Sequence, residues 1–165
     1  EIPSSELEDK GLLFSGLGWY SRLEFPYLNN FMMQGEQIDI VEAVLKIYPE
    51  VGSYSNINAL PDSIYLYIAD ENNTIVDAVT DYLGSEVQRG TLVKDDTFSE
   101  RTYYYFDVTT FMSEELGTFG MYKHNLQLVF NNEYYTKTFK NLTFGNKNSD
   151  SPISLQLRYK IYESY

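Results

Sequence analysis

The segment Arg101-Thr102-Tyr103-Tyr104-Tyr105-Phe106-Asp107-Val108-Thr109 decides the fold of this chain of 165 residues. Apolar residues occupy every second position in it, which predicts a strand with one buried face. The predicted inward residues are Tyr104, Phe106 and Val108. The positions between them form the opposite, outer face: Tyr103, Tyr105 and Asp107.

A helix and a second strand follow this segment. Thr109 or Thr110 can cap a short helix, and Gly117 can end it. Beyond the helix the alternation returns, with Leu126, Leu128 and Phe130 two residues apart. The sequence up to Phe130 therefore predicts a strand, a helix over Thr109 to Leu116 and another strand.

Four further segments have the same period of two. They are Tyr20 to Phe25, Asp39 to Tyr48, Ser63 to Ala69 and Ile153 to Ile161. In the second of these, the predicted inward residues are Val41, Ala43, Leu45 and Ile47. The last segment is the most regular, with five inward apolar positions, and we expect it to lie inside a sheet.

The spacing of these segments indicates an all-β protein. Roughly eight to ten short strands separated by turn residues are typical of a sandwich or a barrel. The long connections favour an antiparallel jelly-roll β-sandwich with one or two short helices, in Tyr27 to Gln34 and Thr109 to Leu116. We expect a single domain over residues 1–165, in which residues 1–11 are a polar lead-in.

The composition excludes several classes of function. With 24 acidic and 12 basic residues the net charge is -12, which argues against nucleic acid or an anionic membrane as a partner. The chain has no cysteine, so it can form neither a disulfide nor a thiolate metal site. Its longest apolar runs are far shorter than the ~20 residues of a membrane-spanning helix.

The order of the predicted segments resembles a known scheme. They are Ser21-Arg22-Leu23-Glu24-Phe25-Pro26, then Ile40 to Tyr48, Ile64-Tyr65-Leu66-Tyr67, Phe106-Asp107-Val108-Thr109, Asn125 to Phe130, and Leu155 to Tyr159. From about Gly16 to Tyr162 the chain resembles bacterial jelly-roll modules of the DNRLRE and carbohydrate-binding-module type. More narrowly, it is similar to a Bacteroidota family of surface lipoproteins of unknown function.

This resemblance implies a non-catalytic, extracytoplasmic module. It would be the C-terminal part of a longer lipoprotein on the outer-membrane surface, anchored by a segment outside this one and associated with nutrient uptake. An outer-membrane transporter or other surface lipoproteins would be its partners, and a glycan or a peptide its ligand. Jelly-roll modules commonly hold a structural calcium, but no acidic loop of this chain can be assigned to one, so we predict no cofactor.

Aromatic residues are the candidates for ligand binding. The chain has 16 tyrosines. Rigid aromatic rings stack on sugars and anchor protein interfaces, although tyrosine also suits the half-exposed surface of any sheet. The candidates are Tyr65, Tyr67, Tyr103 and Tyr105 on outer strand faces, Tyr134 and Tyr135 at a predicted loop tip or hairpin corner, and Trp19 beside Gly18. The alternative for the lone tryptophan is a place in the core or at a sheet edge.

No residue pattern predicts catalysis. His124 is the single histidine, and we expect it in a solvated turn. The loops Asp70 to Asn73 and Asp95-Asp96 are rich in oxygen ligands, but they lack the spacing of a calcium loop, so solvated turns are the favoured interpretation. A binding module is therefore the leading hypothesis for the function. A structural or adhesin-like interaction domain is the second, and a polysaccharide lyase or glycosidase, which would need a cleft, is the third.

Overall fold

The computed structural model describes residues 2–28, 37–80, 84, 86–95, 97–98, 101–117, 124–150 and 152–162. These residues form mostly antiparallel β structure. The strands are β1 Lys10–Phe14, β2 Ser21–Leu23, β3 Gln37–Ile47, β4 Ile64–Ala69, β5 Ile75–Ala78, β6 Thr91–Val93, β7 Tyr103–Asp107, β8 Asn125–Phe130, β9 Asn141–Gly145 and β10 Ser154–Tyr162. Two short helices, α1 Thr109–Gly117 and α2 Asn132–Lys137, accompany 3₁₀ turns at Ser4–Glu6 and Ser15–Leu17.

The strands are arranged in two four-stranded sheets and one ribbon. Sheet I has the order β10-β3-β7-β6, and sheet II has the order β2-β8-β4-β5. Strands β1 and β9 form the two-stranded ribbon, and all of these pairs are antiparallel. The prediction of an all-β, antiparallel protein with few helices is therefore confirmed.

The inner faces of the two sheets share one hydrophobic core. The predicted inward residues of β7 and β8 are all buried in it: Tyr104, Phe106, Val108, Leu126, Leu128 and Phe130. Helix α1 forms where it was predicted, and its residues Phe111, Met112 and Leu116 join the same core. The other predicted helix, Tyr27 to Gln34, falls almost entirely outside the described residues.

Val41 of β3, which was predicted to face inward, lies on the outer face instead. Arg158 of β10 pairs with Glu42, but the next residue, Tyr159, pairs with Ile40, so Val41 is the extra residue of a β-bulge. A bulge reverses the alternation beyond it. Val41 is consequently 42% exposed, whereas Ile40 packs against the core.

Strand β10 also differs from its prediction. Among the described strands it pairs with β3 alone and forms the edge of sheet I, although its regular alternation suggested a place inside a sheet. Its predicted inward residues are not equally covered: Leu155 and Leu157 are half-buried, while Tyr159 and Ile161 are exposed. Alternation defines the two faces of a strand but not its position in the sheet, which depends on distant partners.

The chain passes from sheet II to sheet I at Gly90. Just before it, Arg89 forms a bridge with Tyr65 of β4, and the Gly90 amide donates to the carbonyl of Ile64 at 2.8 Å. Immediately after it, β6 begins and pairs with β7 of the other sheet. One short segment thus connects the two sheets through backbone hydrogen bonds.

Candidate functional site

The outer face of sheet I carries a group of tyrosines that we call the tyrosine face: Tyr48, Tyr103 and Tyr105. Tyr103 and Tyr105 lie on β7, where they alternate with the buried Tyr104 and Phe106. The structure confirms the outward direction predicted for both residues. Tyr48 follows the last residue of β3, the strand that pairs with β7.

Contacts between side chains hold the rings of the tyrosine face in place. The ring centroids of Tyr48 and Tyr103 are 5.5 Å apart, with an angle of 48° between the rings. The Lys46 ammonium lies 5.1 Å from the centroid of the Tyr103 ring, within the range of a cation–π contact. Tyr105 is 37% exposed and lies directly opposite Lys46 in the β3–β7 pair. The face therefore offers aromatic surface on rigid strands.

Charged groups border these rings. Oε2 of Glu42 lies 3.5 Å from Nη2 of Arg158, across the β3–β10 pair. Asp107 ends β7, and its Oδ1 accepts hydrogen bonds from the amide and hydroxyl of Thr109. Partial burial, followed by the negative charges of Asp107 and Glu42, raises the pKa of Tyr105. The Tyr105 hydroxyl is therefore a protonated hydrogen-bond donor at neutral pH.

Tyr65 and Tyr67 lie on a different surface. Both belong to β4, where they alternate with the buried Ile64 and Leu66 and so lie on the outer face of sheet II. Because the two sheets share a core through their inner faces, the outer faces are separate. The structure therefore does not bring Tyr65 and Tyr67 together with Tyr103 and Tyr105.

Tyr134 and Tyr135 lie in helix α2, so the prediction of a loop tip or hairpin corner is wrong. Asn131 begins this helix, because its side chain accepts a hydrogen bond from the Glu133 amide. The rings of Tyr134 and Tyr135 each lie 5.9 Å from the ring of Phe130. Tyr135 Oη also accepts a hydrogen bond from the Phe130 amide, at 3.2 Å. Both tyrosines are half-buried and help to cover the core.

Trp19 lies at the same end of the molecule as α2. Its backbone pairs with that of Phe14, and Tyr135 Oη lies 3.5 Å from its carbonyl oxygen. The preceding Gly18 has a φ of +66°, the left-handed conformation that glycine adopts most readily. The Trp19 side chain is 41% exposed, so the alternative of a core position is wrong.

Exposed apolar side chains that the sequence did not single out lie at the same end of the molecule as Trp19. We call Leu17, Trp19, Ile57 and Phe139 the apolar end. Phe139 is 85% exposed, and its ring lies against Gly16 in the turn that precedes Trp19. The loop with Ile57 is attached to the same region, because Asn58 Nδ2 donates to Asn141 Oδ1 at 2.8 Å. Leu17 lies between two glycines, the one sign in the sequence of an exposed turn.

A polar cleft of about 620 Å³ lies at the other end of sheet II. Its lining includes Arg22, Glu24, Asp70, His124 and Asn125. Nε of Arg22 is 2.9 Å from Oε1 of Glu24, so the one cation among these side chains is already paired. The cleft is open to solvent, and two of its carboxylates, Glu24 and Glu71, are exposed.

The side chain of His124, expected in a solvated turn, is 37% exposed but also contacts helix α1. Its Nδ1 lies 2.5 Å from Oε1 of Glu115, a buried carboxylate on α1. His124 directly precedes β8, so this contact attaches the end of the helix to sheet II. The sequence does not indicate it, since helix and strand are separated by several residues.

The aspartates of the acidic loops accept hydrogen bonds from backbone amides of their own loops. Asp70 Oδ1 accepts hydrogen bonds from the amides of Asn72 and Thr74 in the β4–β5 turn. Asp95 Oδ1 accepts from Thr97 and Phe98, and these bonds lower the pKa of Asp95; Asp96 lies outside the described residues. Within the described part of the chain, no group of three or more His, Asp or Glu side chains is placed to hold a metal ion.

Comparison with protein-family models, curated proteins and solved structures finds no match for this chain. Within the ranges that the structure covers, no helix has both the length and the apolar character needed to cross a bilayer.

Proposed function

We propose that this chain is a non-catalytic binding module that captures a glycan on its tyrosine face. The observation that carries the proposal is the geometry of sheet I, where Tyr48, Tyr103 and Tyr105 lie on the outer face of paired strands. Side chains on strands are held more rigidly than those on loops, so little entropy is lost when a ligand is bound.

The chemistry of the tyrosine face suits a sugar better than an apolar ligand. Tyrosine rings provide flat surface for the C–H face of a sugar ring, and their hydroxyls remain available for hydrogen bonds. Around them, Glu42, Asp107 and Arg158 supply the acceptors and donors that hydroxyl groups need. An extended peptide is the alternative ligand for the same surface.

We further propose that the fold is a jelly-roll β-sandwich. Eight of the ten strands are divided equally between sheet I and sheet II, and the chain crosses repeatedly from one to the other. Such crossings are a property of jelly rolls and distinguish them from meanders. A crystal structure would test this assignment.

The location that we propose is the outer-membrane surface, through an anchor outside this segment, in a longer lipoprotein that works with a transporter or other surface lipoproteins. The resemblance of the sequence to surface lipoproteins supports it. Protease accessibility on intact cells would test the location, and protection of the protein in intact cells would contradict it.

Isothermal titration calorimetry against a panel of polysaccharides tests glycan binding. We expect at least one polysaccharide to bind, and the Tyr103→Ala and Tyr105→Ala variants to lose affinity by about tenfold or more, the equivalent of ~1.4 kcal/mol. Tyr67→Ala is the matched control, because it removes a half-buried tyrosine from the outer face of sheet II. Equal losses in all three variants, or no binding across the panel, would contradict the proposal.

A protein interface at the apolar end is the second candidate function. The observation in its favour is the exposure of Leu17, Trp19, Ile57 and Phe139 at one end of the molecule, because protein interfaces are built around such apolar residues. Co-purification of the full-length protein with a membrane partner, and loss of that partner in Phe139→Arg, would support it. Retention of the partner in both Phe139→Arg and Trp19→Arg would contradict it.

A further inference from the structure

Strand β10 is a long edge strand. It has nine residues, Ser154–Tyr162, and its one neighbour among the described strands is β3. The opposite side of an edge strand presents a row of backbone N–H and C=O groups that can pair with another strand. The other edge of sheet I, β6, has three residues only.

The usual means of blocking an edge are few in β10. It contains no proline, and the bulge of the β3–β10 pair lies in β3, so β10 itself continues without interruption. Two apolar residues near its end, Ile161 and Tyr162, are 45% and 47% exposed. A long, regular edge with exposed apolar side chains is a template for strand addition.

Two basic residues, Arg158 and Lys160, restrict the register in which β10 can pair with a copy of itself. Side chains directly opposite each other in an antiparallel pair lie on the same face, so the two-fold axis must pass midway between one residue and its own copy; an axis "at" a residue means this midpoint. An axis at Arg158 places this residue opposite its own copy. An axis at Tyr159 places Arg158 opposite Lys160, again a repulsive pair.

An axis at Leu157 avoids both repulsive pairs. In this register Arg158 lies opposite Gln156, and Lys160 lies opposite Ser154. The apolar positions also match, since Ile161 lies opposite Ile153. We propose that a second copy of this chain pairs antiparallel with β10 about an axis at Leu157, which joins the two copies of sheet I into one continuous sheet.

The proposed dimer has a consequence for ligand binding that rests on the proposed function. A two-fold axis perpendicular to a sheet keeps the outer faces of both copies on the same side. The two tyrosine faces would then form one bivalent surface. Dimerisation itself is measured without a ligand, so its failure and the failure of glycan binding are distinguishable.

Engineered cysteines test the register directly, because the chain has none of its own. In the double variant Gln156→Cys/Arg158→Cys, each new thiol lies opposite its partner in the other copy, at the ~4.5–5.5 Å between Cβ atoms of opposed residues. Mild oxidation is expected to give a disulfide-linked dimer on a non-reducing gel. The single variant Gln156→Cys is the control, because its two thiols are diagonal neighbours and too distant for a rapid disulfide.

Analytical ultracentrifugation over a range of concentrations tests the dimer without crosslinking. We expect reversible dimerisation of the unmodified chain and a dissociation constant at least tenfold higher for Ile161→Lys. Val93→Lys, on the opposite edge strand β6, is the matched control and should dimerise normally. Circular dichroism shows whether each variant is folded. A chain that stays monomeric at millimolar concentration, or equal crosslinking of the single and double cysteine variants, would overturn the proposal.

Discussion

The ring of Phe106 lies directly against the backbone of Gly90, at the point where the chain passes from sheet II to sheet I. A methyl group at Gly90 would overlap Cζ of Phe106 and would lie 3.0 Å from Cγ1 of Ile64. Both of these side chains are fully buried, so neither can move away into solvent. Position 90 therefore has no room for any side chain.

Gly90→Ala is expected to destabilise the protein by about 1–3 kcal/mol, the usual cost of an overpacked core. Urea unfolding followed by fluorescence measures this loss. Gly117→Ala is the control, since a methyl group there meets nothing within 4 Å and the position ends helix α1. A Gly90→Ala protein as stable as the Gly117→Ala protein would contradict the close packing.

The hydroxyl of Tyr104 donates a buried hydrogen bond of 2.6 Å to the carbonyl of Pro61. Tyr104→Phe leaves this carbonyl without its donor, so we expect a loss of about 1–2 kcal/mol in the free energy of unfolding. Tyr103→Phe, one position along the strand and on the outer face, should change stability by less than about 0.5 kcal/mol. Equal losses of stability in Tyr104→Phe and Tyr103→Phe, measured by urea unfolding, would contradict a stabilising role for this hydrogen bond.

The side-chain amide of Gln88 forms hydrogen bonds to the backbone of β7, as the peptide groups of a neighbouring strand would. It accepts from the Asp107 amide at 2.6 Å and donates to the Asp107 carbonyl at 2.7 Å and to the Thr80 carbonyl at 3.1 Å. We expect Gln88→Leu to cost about 1–3 kcal/mol and to accelerate hydrogen exchange at the Asp107 amide. Gln156→Leu, an exposed position on β10, is the control; unchanged exchange at Asp107 in Gln88→Leu would contradict this role.

The pKa of Asp9 is lowered from its ordinary value of 3.8 by hydrogen bonds from the side chains of Asn146 and Asn148. A carboxyl whose folded pKa is depressed stabilises the folded state above its unfolded pKa, and this contribution is lost as the pH falls through the folded value. Asn146→Ala should therefore raise the pKa of Asp9 in an NMR titration. The pKa of Asp95, lowered by backbone amides, should stay unchanged; a shift of both carboxyls together would contradict the local cause.

The faces of the central strands could be predicted from the sequence because they depend on local alternation. Phe106 is buried for the reason that its spacing indicates, namely a period of two in a strand with one covered face. The same reasoning failed at Val41, where a bulge opposite β10 reverses the faces. A bulge depends on how two strands pair, and the sequence of one segment does not contain that information.

The site was predictable in part. Tyr103 and Tyr105 were predicted on an outer strand face. Their neighbour Tyr48, directly after β3, and the bordering Arg158 of β10 are brought to them by strand pairing, which is a long-range property. The helix that holds Tyr134 was missed because it is only six residues long, too short for a helical period to be visible. The contact between His124 and Glu115 needed the packing of α1 against the sheets.

The ribbon of β1 and β9 joins two strands that are far apart in the chain, so it can form only late in synthesis. Leu13 pairs with Leu142, and Asn146 reaches back to Ser4 across 142 positions of the chain. Strands that pair at such separations fold slowly, because the entropy cost of closing the intervening loop comes before the stabilising contacts form. On the ribosome, β1 leaves the exit tunnel long before β9 has been translated, so β1 stays without its partner strand for most of the synthesis of the chain.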